Sequence, residues 1–185
     1  CVQVYTAIFL KTSVKLAPAI VDQLSLYATL CLLPLTVFAG WLSDKVGRKP
    51  VVVSGLLLGA LTILPTFYAL QYFGAQYLQL SHQESILLIG LLLTCLSLAL
   101  ALVVGPQTAL LAELFPARSR NSAATLPHNL AAGWIGGLLP LIVTWLNQKW
   151  GNDIVGLWYP TIFLASAAIL ALLYLPETKK IDLSI

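Results

Sequence analysis

GWLSDKVGRKP, residues 40–50, decides how this chain is read. Asp44, Lys45, Arg48 and Lys49 crowd into this short stretch, while long runs nearly free of charge lie on either side. Hydrophobic residues make up 59% of the 185-residue chain and charged residues 9%, and the mean hydropathy is +0.89. A soluble domain carries about 25% charged residues. This chain has too few polar side chains to cover a water-facing surface, so lipid is the expected solvent and the charged stretch is expected to be a turn outside it.

Several function classes drop out on the same grounds. The net charge of +3 is small and scattered, with no basic stripe, Gly-rich phosphate loop or recognition-helix pattern, so no nucleic-acid partner is expected. Cys1, Cys31 and Cys95 are too few and too far apart for a zinc site or a disulfide framework. They read as small packing residues, and neither metal nor cofactor is expected. Ser, His and carboxylate never meet at a nucleophile–base spacing and there is no H-E-x-x-H, which argues against an enzyme. Neither a pore loop nor a charged ring speaks for a channel.

Crossing the hydrocarbon core takes about 20 apolar residues per helix. On that measure the spans are 1–10, 24–42, 51–73, 86–111, 123–146 and 157–175, with a polar, aromatic loop from Gln71 to Glu84. Most runs are apolar on every face, unlike a surface helix, and the short alternating segments of a β-barrel are absent. The chain opens on Cys1 and contains no Met. A processed lipoprotein can begin with Cys, but here membrane-like sequence follows directly, so the expectation is a fragment starting inside a helix. The fold class expected is all-α: a polytopic six-helix bundle over residues 1–185 with its first helix truncated.

Orientation follows from Lys and Arg. With alternating loops, one side collects Lys45, Arg48, Lys49, Arg118, Arg120, Lys179 and Lys180, and the other collects Lys11, Lys15 and Lys149. That excess places residues 43–50, 113–121 and the C-terminus in the cytoplasm of a multi-pass protein of the cell (inner) membrane. Trp145, Trp150, Trp158 and Tyr159 fall at the outer interface, and Trp41, Phe115 and Tyr174 near the inner one. A positive anchor accounts for Lys45, Arg48 and Lys49. It does not account for Asp44, or for Gly40 and Gly47 flanking it.

Gly40-x-Leu42-Ser43-Asp44-Lys45-x-Gly47-Arg48-Lys49 resembles the loop signature of the major facilitator superfamily, found between helices 2 and 3 and again between helices 8 and 9. Glu113-Leu114-Phe115-Pro116, followed by Arg118 and Arg120, resembles the loop between helices 10 and 11, and Leu175-Pro176-Glu177-Thr178-Lys179 resembles the segment after helix 12. The resemblance implies helices 7–12, with the N-terminal six helices missing. Gly105-Pro106-Gln107 and Gly136-Gly137-Leu138-x-Pro140 are most similar to the metabolite:proton symporters, which carry proline and betaine, citrate, alpha-ketoglutarate or shikimate. Pro127-His128 departs from that group, where a small residue and Tyr are common.

The resemblance implies a conformational latch made of Gly40, Asp44, Gly47, Arg48 and Lys49, joined by Glu113, Arg118 and Arg120. Asp44 near a helix N-terminus would meet the positive end of a dipole. Solvated positive-inside charge remains the plain alternative for Glu113, Arg118 and Arg120. Gly55/Gly59 and Gly133/Gly137 are G-x-x-x-G pairs suited to close helix packing, and Gly105-Pro106 is expected to kink the fourth span. Substrate-binding candidates are the polar residues within the spans: Gln107, Asn129, His128, Tyr5 and Tyr27, with Thr36 as a further option. Thr125, Asn129, Ala132 and Gly136 share a stripe at helical spacing. A structural role, bonding a neighbouring helix, is open for each. No Asp, Glu, Lys or Arg lies deep in a complete span. A proton-coupled carrier therefore titrates His128 or a group in the missing half. The function expected is secondary transport of a small organic carboxylate or zwitterion, with protons, by alternating access. A sugar-porter-type facilitator and a non-transporting or inactive half-carrier remain open alternatives.

Overall fold

The computed structural model describes residues 2–76, 82–114, 125–126 and 128–177. Every regular element among them is helical. In chain order these are α1 (Val2–Thr12), α2 (Pro18–Val46), α3 (Arg48–Gln76) and α4 (His82–Leu114). A π-helical segment, Ala131–Gly136, then runs into α5 (Gly137–Trp150), and a 3-10 turn, Val155–Leu157, leads into α6 (Trp158–Tyr174). The stretches Pro18–Val46, Arg48–Gly74, Ile86–Leu114, His128–Trp150 and Val155–Tyr174 are long and apolar enough to cross a membrane. At a rise of about 1.5 Å per residue, the 11 residues of α1 reach only part of the way.

The helices outrun the apolar windows. α2 begins at Pro18, where a proline in the first helical turn sacrifices no bond because that N–H has no intrahelical partner. Gln71 to Gln76, expected as loop, are helical, and helix resumes at His82. Polar residues mark where a helix leaves hydrocarbon, while its backbone bonds continue into the interface. Pro34, Pro65, Pro106 and Pro140 lie inside helices without ending them. Each forfeits one backbone bond that packed neighbours make tolerable. α4 thus continues as helix through Gly105-Pro106.

α4 is the centre of the bundle, packed against both α2 and α3, while α6 lies on α3 and α1 touches α2 and α5. Phe9 and Leu10 of α1, Val21 of α2, Phe67 of α3, Ile89 of α4 and Val143 of α5 share one buried cluster. Small residues set the helix spacing. A Cβ on Gly55 would lie 2.8 Å from Leu102 Cβ of α4, and one on Gly59 would lie 3.4 Å from Leu164 of α6. The second pair behaves differently. A Cβ on Gly133 or Gly137 would meet nothing within 4 Å among the described residues, because both lie on exposed turns of the least buried span.

One end of the bundle is tied by Asn147. Its Nδ2 donates to Tyr5 OH at 2.8 Å and to Asp153 O at 2.6 Å, and its Oδ1 accepts from Gly156 N at 2.6 Å. α1, the end of α5 and the start of α6 therefore meet there. The α2–α3 joint lies at the opposite end.

A candidate latch and solute face

Gly47 alone joins α2 to α3. Its N–H closes α2 on Ser43 O, and its φ of 122° with ψ of 155° belongs to a region open essentially to glycine. Arg48 follows as the first residue of α3. Its guanidinium reaches three ways. Nη1 donates to Ser43 Oγ at 2.8 Å and pairs with Asp44 Oδ1. Nη2 donates to Glu113 Oε1 at 3.1 Å, and Nε approaches both Glu113 oxygens at 3.3 and 3.4 Å. Ser43, fully buried, donates in turn to Gly40 O at 2.7 Å.

The expected position of Asp44 at a helix N-terminus is corrected here. Asp44 stands in the last turn of α2, the negative end of that dipole. The carboxylate that serves the α3 N-terminus is Glu177, whose Oε1 accepts the Arg48 backbone N–H at 2.9 Å. It satisfies one of the unpartnered amides of a helix start and complements the dipole. One arginine thus gathers the joint, the end of α4 and the segment after α6.

Burial ranks the partners. The Arg48 and Glu113 side chains are each 11% exposed, whereas Asp44 is 63% exposed. The Arg48–Glu113 pair is the more desolvated one, and Asp44 adds a solvent-screened surface partner. Beside the pair, Gly40 faces Gly105: a Cβ on Gly105 would lie 2.8 Å from Thr36 O and 2.9 Å from Gly40 N. Lys45 stacks over Trp41 with Nζ 4.0 Å from the ring centre, and Lys49 is half-buried. Arg118 and Arg120 lie outside the described residues.

A Cβ on Gly47 would lie 2.5 Å from Glu177 Oε2. Gly47→Ala is therefore expected to strain the joint and displace the α3 cap together, costing about 1–3 kcal/mol for the backbone alone. Thermal unfolding of the purified protein checks this. An unchanged midpoint removes the joint as a strained element.

The solute candidates occupy separate places. Gln107 Nε2 and His128 Nδ1 are 3.0 Å apart and join α4 to the fifth span. Asn129 and Thr125 line a shallow depression of about 670 Å³ with Gly133 and Trp134. The stripe Thr125, Asn129, Ala132, Gly136 assumed α geometry throughout, but Ala131–Gly136 is π-helical, and wider turns break that register. π segments recur at functional sites. Tyr27 lies over Gly90 in a groove of about 760 Å³ between α2 and α4. Thr36 donates its hydroxyl to Leu33 O. Tyr5 lies apart from all of these, 3% exposed, against Phe67 with its hydroxyl engaged by Asn147. Spacing did not single out Ser43, Glu177 or Asn147. For Glu177 the only signal was the resemblance of the segment after the last helix.

A family model described as Major Facilitator Superfamily matches residues 3–182. The chain is 28% identical over 176 residues to the ectoine/proline transporter ProP of Corynebacterium glutamicum, covering 95% of this chain and 32% of that protein. It is 34% identical over 141 residues to the inner membrane metabolite transport protein YhjE of Escherichia coli, covering 76% and 29%. To the glycine betaine/proline/ectoine/pipecolic acid transporter OusA of Dickeya dadantii it is 32% identical over 134 residues, covering 72% and 24%. The chain spans about a third or less of the length of these relatives. No solved structure matches it.

Proposed function

The chain belongs to the major facilitator superfamily, and on that premise we propose that it is the C-terminal six-helix half of a secondary transporter for small zwitterions, driven by protons through alternating access. The observation that carries this reading is the Arg48 cluster. A single part-buried guanidinium, held by Glu113 and Asp44 while Glu177 caps its backbone N–H, ties elements that must separate if one end of the bundle is to open. Such a cluster works as a latch because its charges are favourable together and costly apart. The excess of Lys and Arg supports a cytoplasmic position for this end.

The solute class rests on two supports. The relatives' names carry proline, ectoine and betaine, and this half offers neutral groups rather than deep charge. Gln107, Asn129, His128 and Tyr27 supply amide, imidazole and aromatic contacts facing the N-terminal half, which holds the complementary charge. Carrier sites lie near the midplane between repeats.

Uptake of radiolabelled proline and ectoine by the full-length carrier in proteoliposomes, under an inward proton gradient, tests the reading. Accumulation abolished by a protonophore is expected, with Gln107→Ala and Asn129→Ala raising the apparent KM several-fold. Accumulation of glucose with none of either zwitterion makes the protein a sugar facilitator. Uptake of nothing makes it a non-transporting membrane protein.

A further inference from the structure

The fifth span is fixed at one end and loose at the other. Near its close, Val143 is fully buried and Asn147 is bonded to Tyr5 of α1 and to Gly156 in the turn before α6. Toward its start, Leu126, Leu130 and Trp134 are exposed, and a Cβ on Gly133 would meet nothing within 4 Å among the described residues. Between these two ends lies the π-helical segment Ala131–Gly136, with α-helix before and after it.

A π turn closes on a carbonyl five residues back instead of four, so it holds one residue more than the α turn it replaces. That extra residue shifts every position before it by one place. His128 therefore stands where Asn129 would stand if the span were α-helical throughout. Since π geometry is rare, a compensating contact is needed to hold the present register. One is in place: Gln107 Nε2 on α4 lies 3.0 Å from His128 Nδ1, an amide donor against a ring nitrogen that accepts in the neutral imidazole.

The α register carries an equivalent contact. Rewinding Ala131–Gly136 turns residues 125–130 by about 100° and moves them about 1.5 Å along the axis. His128 leaves Gln107 and Asn129 arrives, offering a carbonyl oxygen to the same donor. Gly133 and Gly136 give the segment a backbone free enough to change.

We propose that Ala131–Gly136 is a register switch that exchanges His128 for Asn129 opposite Gln107. An imidazole and an amide then take turns on the α4-facing side of the fifth span and are never there together. The switch is a two-state element with discrete arrangements. It goes beyond the transport reading and does not depend on which solute is carried.

Cross-linking in the full-length carrier in nanodiscs, on a background free of other cysteines and with a short bis-methanethiosulfonate reagent, tests it. Gln107→Cys is paired with His128→Cys in one variant and with Asn129→Cys in another, and both pairs are expected to link. Deleting Gly133 removes the extra residue and leaves His128 in place. The link from 107 to 128 should then persist, and the link from 107 to 129 should be lost. A link from 107 to 129 that survives the deletion reflects side-chain slack and overturns the switch, as does failure of either pair to link without the deletion. A second measurement needs no deletion. Spin labels on Leu61→Cys and Leu126→Cys, both exposed positions, should report two distances in pulsed electron resonance, and a single distance overturns the switch.

Discussion

Arg48→Ala is expected to cut transport by the full-length carrier at least tenfold and to lower its thermal stability more than any other change at the joint. Glu113, 11% exposed, would lose its hydrogen bonds to Arg48, and losing bonds between charged groups costs about 1.5–3 kcal/mol. Ser43, fully buried, would lose its donor as well. Asp44→Asn should act more mildly on stability, since a 63% exposed carboxylate is worth about 1 kcal/mol or less, while still impairing transport by loosening the latch. Arg48→Lys should rescue little, because one ammonium cannot reach Ser43, Asp44 and Glu113 together in the geometry of a planar fork. Uptake rates and unfolding midpoints for the three variants check the order. If Arg48→Ala transports like wild type, the cluster is an anchor and the latch is wrong.

Gly105→Ala should be the most damaging glycine change along the α2–α4 contact. The new Cβ would meet Thr36 O at 2.8 Å, Ala39 Cβ at 2.9 Å and Gly40 N at 2.9 Å. Two of those atoms are backbone and cannot swing aside, so α2 and α4 must part along their whole contact. Overpacking of this kind costs about 1–3 kcal/mol, and here it also shifts Gly40, whose carbonyl receives Ser43. Gly59→Ala is the matched control. Its Cβ would find Leu164 Cδ1 at 3.4 Å and Ala99 at 3.9 Å, ordinary contact, so its midpoint should stay near wild type. Equal midpoints for the two variants would mean that the α2–α4 approach does not depend on Gly105.

The different fates of the two G-x-x-x-G pairs show where sequence reasoning stops. Gly55 and Gly59 lie against α4 and α6, while Gly133 and Gly137 meet no other described element. The pattern itself is identical, and only the placement of neighbouring helices separates them. The stripe through Asn129 failed for a related reason. Helical spacing was read at 3.6 residues per turn, and a π segment at Ala131–Gly136 changes the turn without a residue that announces it.

By itself the sequence determined the solvent, the number of long apolar spans, the position of the charged joint and the family. Each is a local property. A run such as Ile86–Leu114 is apolar whatever it packs against, and GWLSDKVGRKP carries its charges and glycines in one short stretch. Only the tertiary structure decided which groups work together. Arg48 and Glu177 are 129 residues apart, and Tyr5 and Asn147 are 142 apart. Hydropathy acts residue by residue and survives in any arrangement of the helices. A hydrogen bond needs two atoms within about 3 Å, and that distance exists only once the chain has folded.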